Sequence, residues 1–176
     1  NHGTGSGITW ATGQEYGFQH PLIRSNNPMV FDGTDDYVDF NDIALSGEFT
    51  LSAWIRPTST NGSFPTDKFV VLGDESNADW FRLDDPNTTT LKINNLSLTW
   101  DSGATFTVNQ WQHLIVVRNS SNSISIYRNG TAYTNNSPSN SSVFTPEFIG
   151  RKSTLYFEGM INDVAIWDSA LTANEV

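Results

Sequence analysis

The sequence predicts an all-β protein, an antiparallel sandwich or barrel. Short apolar runs of period two recur along its 176 residues, with turn signals roughly every eight to twelve positions. No helical period persists anywhere. Asn, Ser and Thr supply 56 residues, about a third of the chain, a composition that suits turn-rich β structure.

Taken in order, residues 1–28 read as an irregular strap with one short strand at Ile8 to Trp10. Met29 to Phe31 and Tyr37 to Phe40 read as strands around a turn at Asp32-Gly33-Thr34-Asp35. Phe49 to Arg56 alternates cleanly: Phe49, Leu51, Ala53 and Ile55 share one face, and Thr50, Ser52, Trp54 and Arg56 the other. Pro57 ends that strand. Strands at Lys68 to Leu72 and Trp80 to Leu83 flank a polar loop around Asp74. Thr90 to Ile93 and Leu96 to Trp100 form a meander. Trp111 to Arg118 is apolar on both parities, the mark of a central strand covered on both sides. Ser123 to Arg128 runs into Asn129-Gly130, a strong hairpin signal because both turn residues take positive φ. Phe148 to Gly150 and Tyr156 to Trp167 are the last strands. The one helix signal is the tail, where Thr172 and Glu175 form a capping box. The total is roughly ten to thirteen strands in one domain over 1–176.

Charge narrows the partners. Nine Lys and Arg stand against 19 Asp and Glu, a net of −10. Phosphate-rich nucleic acid and acidic membrane surfaces are disfavoured, since both select cationic faces. No apolar run approaches the ~20 residues of a membrane span. Cysteine is absent, which removes disulfides and thiolate chemistry. Asp outnumbers Glu 13 to 6, a bias toward turns and oxygen-ligand cation sites. Seven Asn-x-Ser/Thr sequons follow from composition alone.

Five stretches then read together. Phe31-Asp32-Gly33-Thr34-Asp35-Asp36-Tyr37-Val38, Phe49 through Pro57, Trp111-Gln112-His113-Leu114, Tyr127-Arg128-Asn129-Gly130, and Phe157 through Val164 with Ala170-Leu171-Thr172 stand in order. Together they resemble the concanavalin A-like, laminin G-like jelly-roll domains, and Asn1-His2-Gly3-Thr4 is similar to the start of that family. The resemblance implies a two-sheet antiparallel β-sandwich with layers about 10 Å apart. It also implies one module of a longer protein, at an extracellular, cell or virion surface.

The glycosidases that share this fold carry Glu-x-Asp-x-x-Glu, a strand that puts two carboxylates on one face. That motif is absent here. Asp35-Asp36 and Asp84-Asp85 are neighbours that diverge on a strand or solvate a turn. His113, flanked in parity by Trp111, Ile115 and Val117, reads as a hydrogen-bonded core histidine. The chain is therefore expected to be non-catalytic.

Met160, Asn162, Val164 and Ile166 share a parity, which places Asn162 on a core face. The resemblance implies that relatives hold a structural Ca²⁺ at this position with oxygens near the Phe-Asp-Gly turn. Asp32 and Asn162 are the expected ligands, the Asn giving up one formal charge. The competing reading has Asn162 bonded to backbone and Asp32 capping its own turn.

For a carbohydrate, aromatic faces and short polar groups are needed. Trp54, Trp111 and Trp167 match framework positions of the family. Trp80, Arg82, Trp100, Tyr133, Asn135 and Asn136 are the expected glycan-binding residues; large aromatics closing sandwich edges are the alternative. The expected function is a lectin-like glycan-binding or adhesion module. A structural module binding other subunits of a surface or virion assembly is the second reading, and a glycoside-active enzyme the third.

Overall fold

A computed structural model describes residues 4–6, 9–10, 28–58, 69–83, 88–101, 106–133 and 138–176; at 4–6, 9–10, 88, 100 and 101 it describes the backbone alone. In chain order the strands are β1 (Thr4–Ser6), β2 (Thr9–Trp10), β3 (Met29–Asp32), β4 (Tyr37–Asp39), β5 (Phe49–Pro57), β6 (Phe69–Gly73), β7 (Trp80–Leu83) and β8 (Thr88–Ile93). They continue with β9 (Leu96–Asp101), β10 (Gln112–Arg118), β11 (Ile124–Arg128), β12 (Thr131–Ala132), β13 (Phe148–Ile149), β14 (Arg151–Lys152), β15 (Leu155–Tyr156) and β16 (Glu158–Trp167). One antiparallel sheet has the order β1-β4-β13-β6-β7-β8-β9. The other runs β12-β11-β10-β5-β16-β3-β2, and β14 with β15 forms a small ribbon. The predicted two-sheet sandwich is the observed one. The strand at Arg151–Lys152 has no apolar pattern and escapes a reading by periodicity.

Alternation decides what fills the space between the sheets. On β5, Phe49, Leu51, Ala53 and Ile55 are all buried in the core, as predicted. Leu114 and Val116 of β10 and Ile124 and Ile126 of β11 face them, with Phe69, Phe81, Leu83, Leu91 and Ile93 from the other sheet. Ile115 and Val117 point the opposite way on β10 and are buried too, so this strand is covered on both sides. The Asn129-Gly130 turn takes φ of 50° and 77°, the double positive φ of a two-residue hairpin.

Two sequence expectations fail here. At the tail, Glu175 Oε2 accepts from both the amide and the hydroxyl of Thr172, yet the segment makes a turn and no helix. On β16, pairing with β5 slips between Asn162 and Ala165, with Asp163 at φ 46°. One extra residue inserted in the strand inverts its parity. Ile161 lies in the core while Val164 and Ile166 pack against it, so Asn162 faces away from the sandwich interior. It is still buried, opposite Trp54 of β5.

Among the described residues, Arg118 is the largest fully buried side chain. Its Nε donates to Gly47 O (2.6 Å), one terminal nitrogen to Ser142 O (2.6 Å) and Asn140 O (3.4 Å), and the other to Leu45 O (2.7 Å). The guanidinium also lies 4.5 Å from the Phe49 ring centre. Burial lowers its pKa, though an arginine stays charged in proteins. The group ties the end of β10 to two loops, and the Leu45–Phe144 bridge joins those loops to each other.

Replacing Arg118 with Leu removes the side-chain donor from all four carbonyls, of which Leu45 O alone keeps a backbone partner among the described residues, the Phe144 amide. Urea denaturation should show a loss of about 3 kcal/mol or more, and Arg118→Lys should recover only part of it, since one ammonium cannot span the same fork. An unchanged midpoint would remove Arg118 as a clamp.

Candidate functional site

Because Phe81 and Leu83 enter the core, Trp80 and Arg82 stand on the outward side of β7. Register then sets their neighbours. Gly73, Trp80, Lys92 and Ser97 lie in one row across β6 to β9; Val70, Arg82, Thr90 and Thr99 lie in the next. Gly73 lets the ribbon come close: a Cβ there would collide with the Arg151 carbonyl and with Lys152. Lys152 is thereby laid on the indole of Trp80, its Nζ 4.6 Å from the ring centre. The Arg82 guanidinium is at 4.4 Å and the Lys92 ammonium at 5.8 Å.

The loop before β7 anchors both lysines. Lys92 Nζ donates to Asn77 O at 2.7 Å and Lys152 Nζ to Asn77 Oδ1 at 2.8 Å. Asn77 sits at φ 60°, which asparagine tolerates well. The loop is closed by the Asp74 carboxylate, which accepts from the Ser76 hydroxyl and the amides of Ala78 and Asp79. Trp80 itself is only 5% exposed, so it gives no open face for a sugar, contrary to expectation. Its surroundings are cationic stems, not a platform. Sequence reading missed Lys92, Lys152 and Asn77; the available signal was scarcity, since two of only three lysines end on one asparagine.

Tyr133 is also corrected: it is buried and part of the core cluster. Trp100 pairs through its backbone with Thr89, and its side chain lies outside the described residues, as do Asn135 and Asn136 altogether. Of the six expected glycan-binding residues, Arg82 is the one seen outward and partly open.

The expected pairing of Asp32 with Asn162 is contradicted by register. Asp32 stands opposite Glu158, and Asn162 lies four residues further along β16, on the order of 13 Å. One ion cannot bridge that. Asp32 is instead grouped with Asp35 and Asp36, their ligand oxygens within 4.8 Å of one another. Asp32 Oδ1 accepts the Thr34 amide at 2.7 Å, the capping predicted as the alternative. Asp36, expected merely to solvate the turn, is 5% exposed and accepts the Asp32 amide at 2.8 Å. Burial, and then the charges of Asp32 and Asp35, push its carboxyl above the usual range. Asn162 donates to Asp163 Oδ2 at 3.5 Å.

An open depression of about 510 Å³ is lined by Asp39, Asn41, Asp42, Glu147 and Phe148. Glu147 is raised by burial first and then by Asp42 and Asp74, while its Oε2 accepts the Glu75 amide at 3.1 Å. Asp42 lines the same depression, and its negative charge adds to the rise of the Glu147 carboxyl. On the other sheet, His113 Nε2 and Ser52 Oγ are 2.8 Å apart and the imidazole stacks on Trp54 at 4.8 Å, so His113 is hydrogen-bonded as expected but half-buried on the outward side and not in the core. Topology thus makes a Ser–His contact that lies 61 residues apart in sequence. Ser52 is buried, which does not suit a nucleophile that must reach a substrate.

A family profile described as the concanavalin A-like lectin/glucanases superfamily matches residues 32–176. Among curated protein sequences, none matches. Among solved structures, domain 4 of AbnA, a GH43 extracellular arabinanase of Geobacillus stearothermophilus in complex with arabinotriose, is 18% identical with a TM-score of 0.71, covering 98% of this chain and 85% of that one. The native heptameric SAP-like pentraxin of Limulus polyphemus is 17% identical (TM-score 0.59), covering 82% of this chain and 76% of that one. The botulinum neurotoxin serotype G binding domain is 14% identical (TM-score 0.62), covering 98% and 45%. At these identities the likeness shows the fold alone.

Glu147 gives a pH prediction. A carboxyl held above its unfolded value destabilises the fold as pH rises through the window between the unfolded and folded values. Glu147→Gln should therefore raise the melting temperature at pH 7, and the gain should vanish as pH falls below the free-glutamate value of about 4.3. A gain that persists in acid would assign the effect to something other than its charge.

Proposed function

We propose, for a chain that belongs to the concanavalin A-like lectin/glucanases superfamily, that it is a non-catalytic carbohydrate-binding module. The supporting observation is the match over 98% of the chain to a domain solved with arabinotriose. The site in this reading is the outward side of β7 to β9. Arg82 and Lys92 are partly open there, and Ser97 and Thr99 are exposed. Short hydroxyls and forked cations suit sugar hydroxyls on a shallow surface. A structural module packed against other subunits is less well supported. The exposed large hydrophobics among the described residues are Leu96, Val143 and Trp167, with Leu96 and Trp167 on different sheets. The same reading places the module at an extracellular or virion surface, as one unit of a longer protein.

Calcium belongs to the proposal as a brace of the turn after β3, held by Asp32, Asp35 and Asp36. The fit rests on oxygen spacing and on the buried, anion-crowded Asp36, whose charge a cation would offset.

Two experiments test these statements. The protein should give hits on a glycan array, and Thr99→Trp, a bulky change on the exposed row, should erase them while the melting curve stays intact. A blank array would end the carbohydrate reading, and hits untouched by the substitution would move the site off this sheet. Separately, calcium at about 1 mM should raise the melting temperature, EDTA should reverse it, and Asp36→Asn should abolish the response. A curve indifferent to calcium discards the ion.

A further inference from the structure

We infer that two copies of this chain pair edge to edge through β9, antiparallel and about a two-fold axis at Leu98. Natural sheets blunt their open edges with short strands, charge, proline or bulges. Three of the four ends of the two main sheets follow that rule, since β1 has three residues and β2 and β12 have two each. β9 breaks it. The strand has six residues, Leu96–Asp101, with no proline, no lysine and a single charge at its last position. Its register with β8 is unbroken over all six pairs. Among the described residues nothing pairs with its other side, where alternate N–H and C=O groups point away from the sheet. A second observation falls on the same strand: Leu96, 54% exposed, is the most open of the large hydrophobics among the described residues.

The strand's own sequence selects a second copy as the occupant. A two-fold axis normal to the sheet keeps the inner faces of both copies on one side, so opposed residues share parity. Centred on Leu98, the pairing sets Leu98 against its equivalent, Ser97 against Thr99, and Leu96 against position 100 of the second copy. Leu98 belongs to the core cluster, and Ser97 and Thr99 are exposed, so apolar meets apolar and hydroxyl meets hydroxyl. Asp101 falls opposite Asn95, and no like charges are opposed along the seam although each copy carries a net −10. Main-chain hydrogen bonds carry such a seam, and no broad apolar patch is needed. Its length is about 20 Å, small for a permanent dimer, so a dissociation constant of roughly 10–100 µM is expected. The seam also joins the outward rows: Thr90 and Thr99 of one copy run on into Ser97 and Lys92 of the other, so the face is presented in duplicate.

Sedimentation velocity over about 1 to 500 µM should show monomer passing into dimer. The double variant Ser97→Lys with Thr99→Lys sets lysine against lysine across the seam and should abolish the dimer while the melting curve stays unchanged. Because the chain has no cysteine, disulfides can report the register. Opposed Cα atoms of an antiparallel pair lie ~4.5–5.5 Å apart, within disulfide reach. A mixture of Ser97→Cys and Thr99→Cys proteins should therefore cross-link under mild oxidation several-fold more than either variant alone. Should the lysine variant melt lower, the cross-link decides. A protein that is monomeric at every concentration overturns the inference. So does a dimer that persists in a well-folded lysine variant, or cross-linking no greater in the mixture than in each variant alone; either assigns association to another surface. The carbohydrate reading stands in each case, because none of these measurements involves a glycan.

Discussion

The sandwich depends on two buried charges that are neutralised by main chain. Arg118 spreads its positive charge over carbonyls of residues 45, 47, 140 and 142. Asp79 does the converse, accepting amides of Asn94 (2.7 Å) and Thr145 (3.3 Å), with burial raising its pKa. Loops that lack a ladder of their own need partners for their polar groups, and these side chains supply them. One ion holds acceptors, the other donors. The core strands can then end cleanly, since the chain that joins them is fastened at both electrical signs.

The candidate site inherits its geometry from that framework. A glycine in β6 admits a crossing ribbon, and the ribbon brings a lysine onto an indole that alternation has already turned outward. A neighbouring strand supplies the second lysine by register. None of the three positions is adjacent in sequence, yet hydrogen bonds to a single loop residue gather two of them. The other sheet is organised differently. Its outward side is lined by Trp54 stacked on His113 and by buried Ile115, Val117, Met160 and Asn162, and the Thr50 hydroxyl is bound to Ser169 and Leu171 of the tail. Of the two outward sides, the one bearing lysines has the open polar rows.

Much of the architecture was legible because alternation is a direct readout of burial. β5, β7 and β10 appear where the pattern places them, and the Asn-Gly turn takes the predicted backbone. The site was less legible, for definite reasons. Trp80 and Tyr133 were singled out for being aromatic near polar loops, but cationic stems cover one and the core takes in the other. Parity counting failed at Asp163 because an inserted residue leaves no mark in composition; only the Asn-Asp pair, tolerant of left-handed backbone, hints at it. Asp32 and Asn162 were joined by analogy, whereas pairing to Glu158 separates them. Arg118 was unreadable as a buried charge, since its partners are carbonyls, which every residue has.

The asparagines carry a consequence of their own. Among the described residues, seven of them, at 41, 77, 94, 95, 109, 122 and 129, occupy left-handed backbone at the corners of this fold. Asparagine is also among the residues that heat degrades chemically. A molecule that makes its corners this way ages at them, and most plainly at Asn129-Gly130, where the side chain also accepts the His113 amide. At high temperature, covalent wear at the corners would then stand beside unfolding as a separate route by which the molecule is lost.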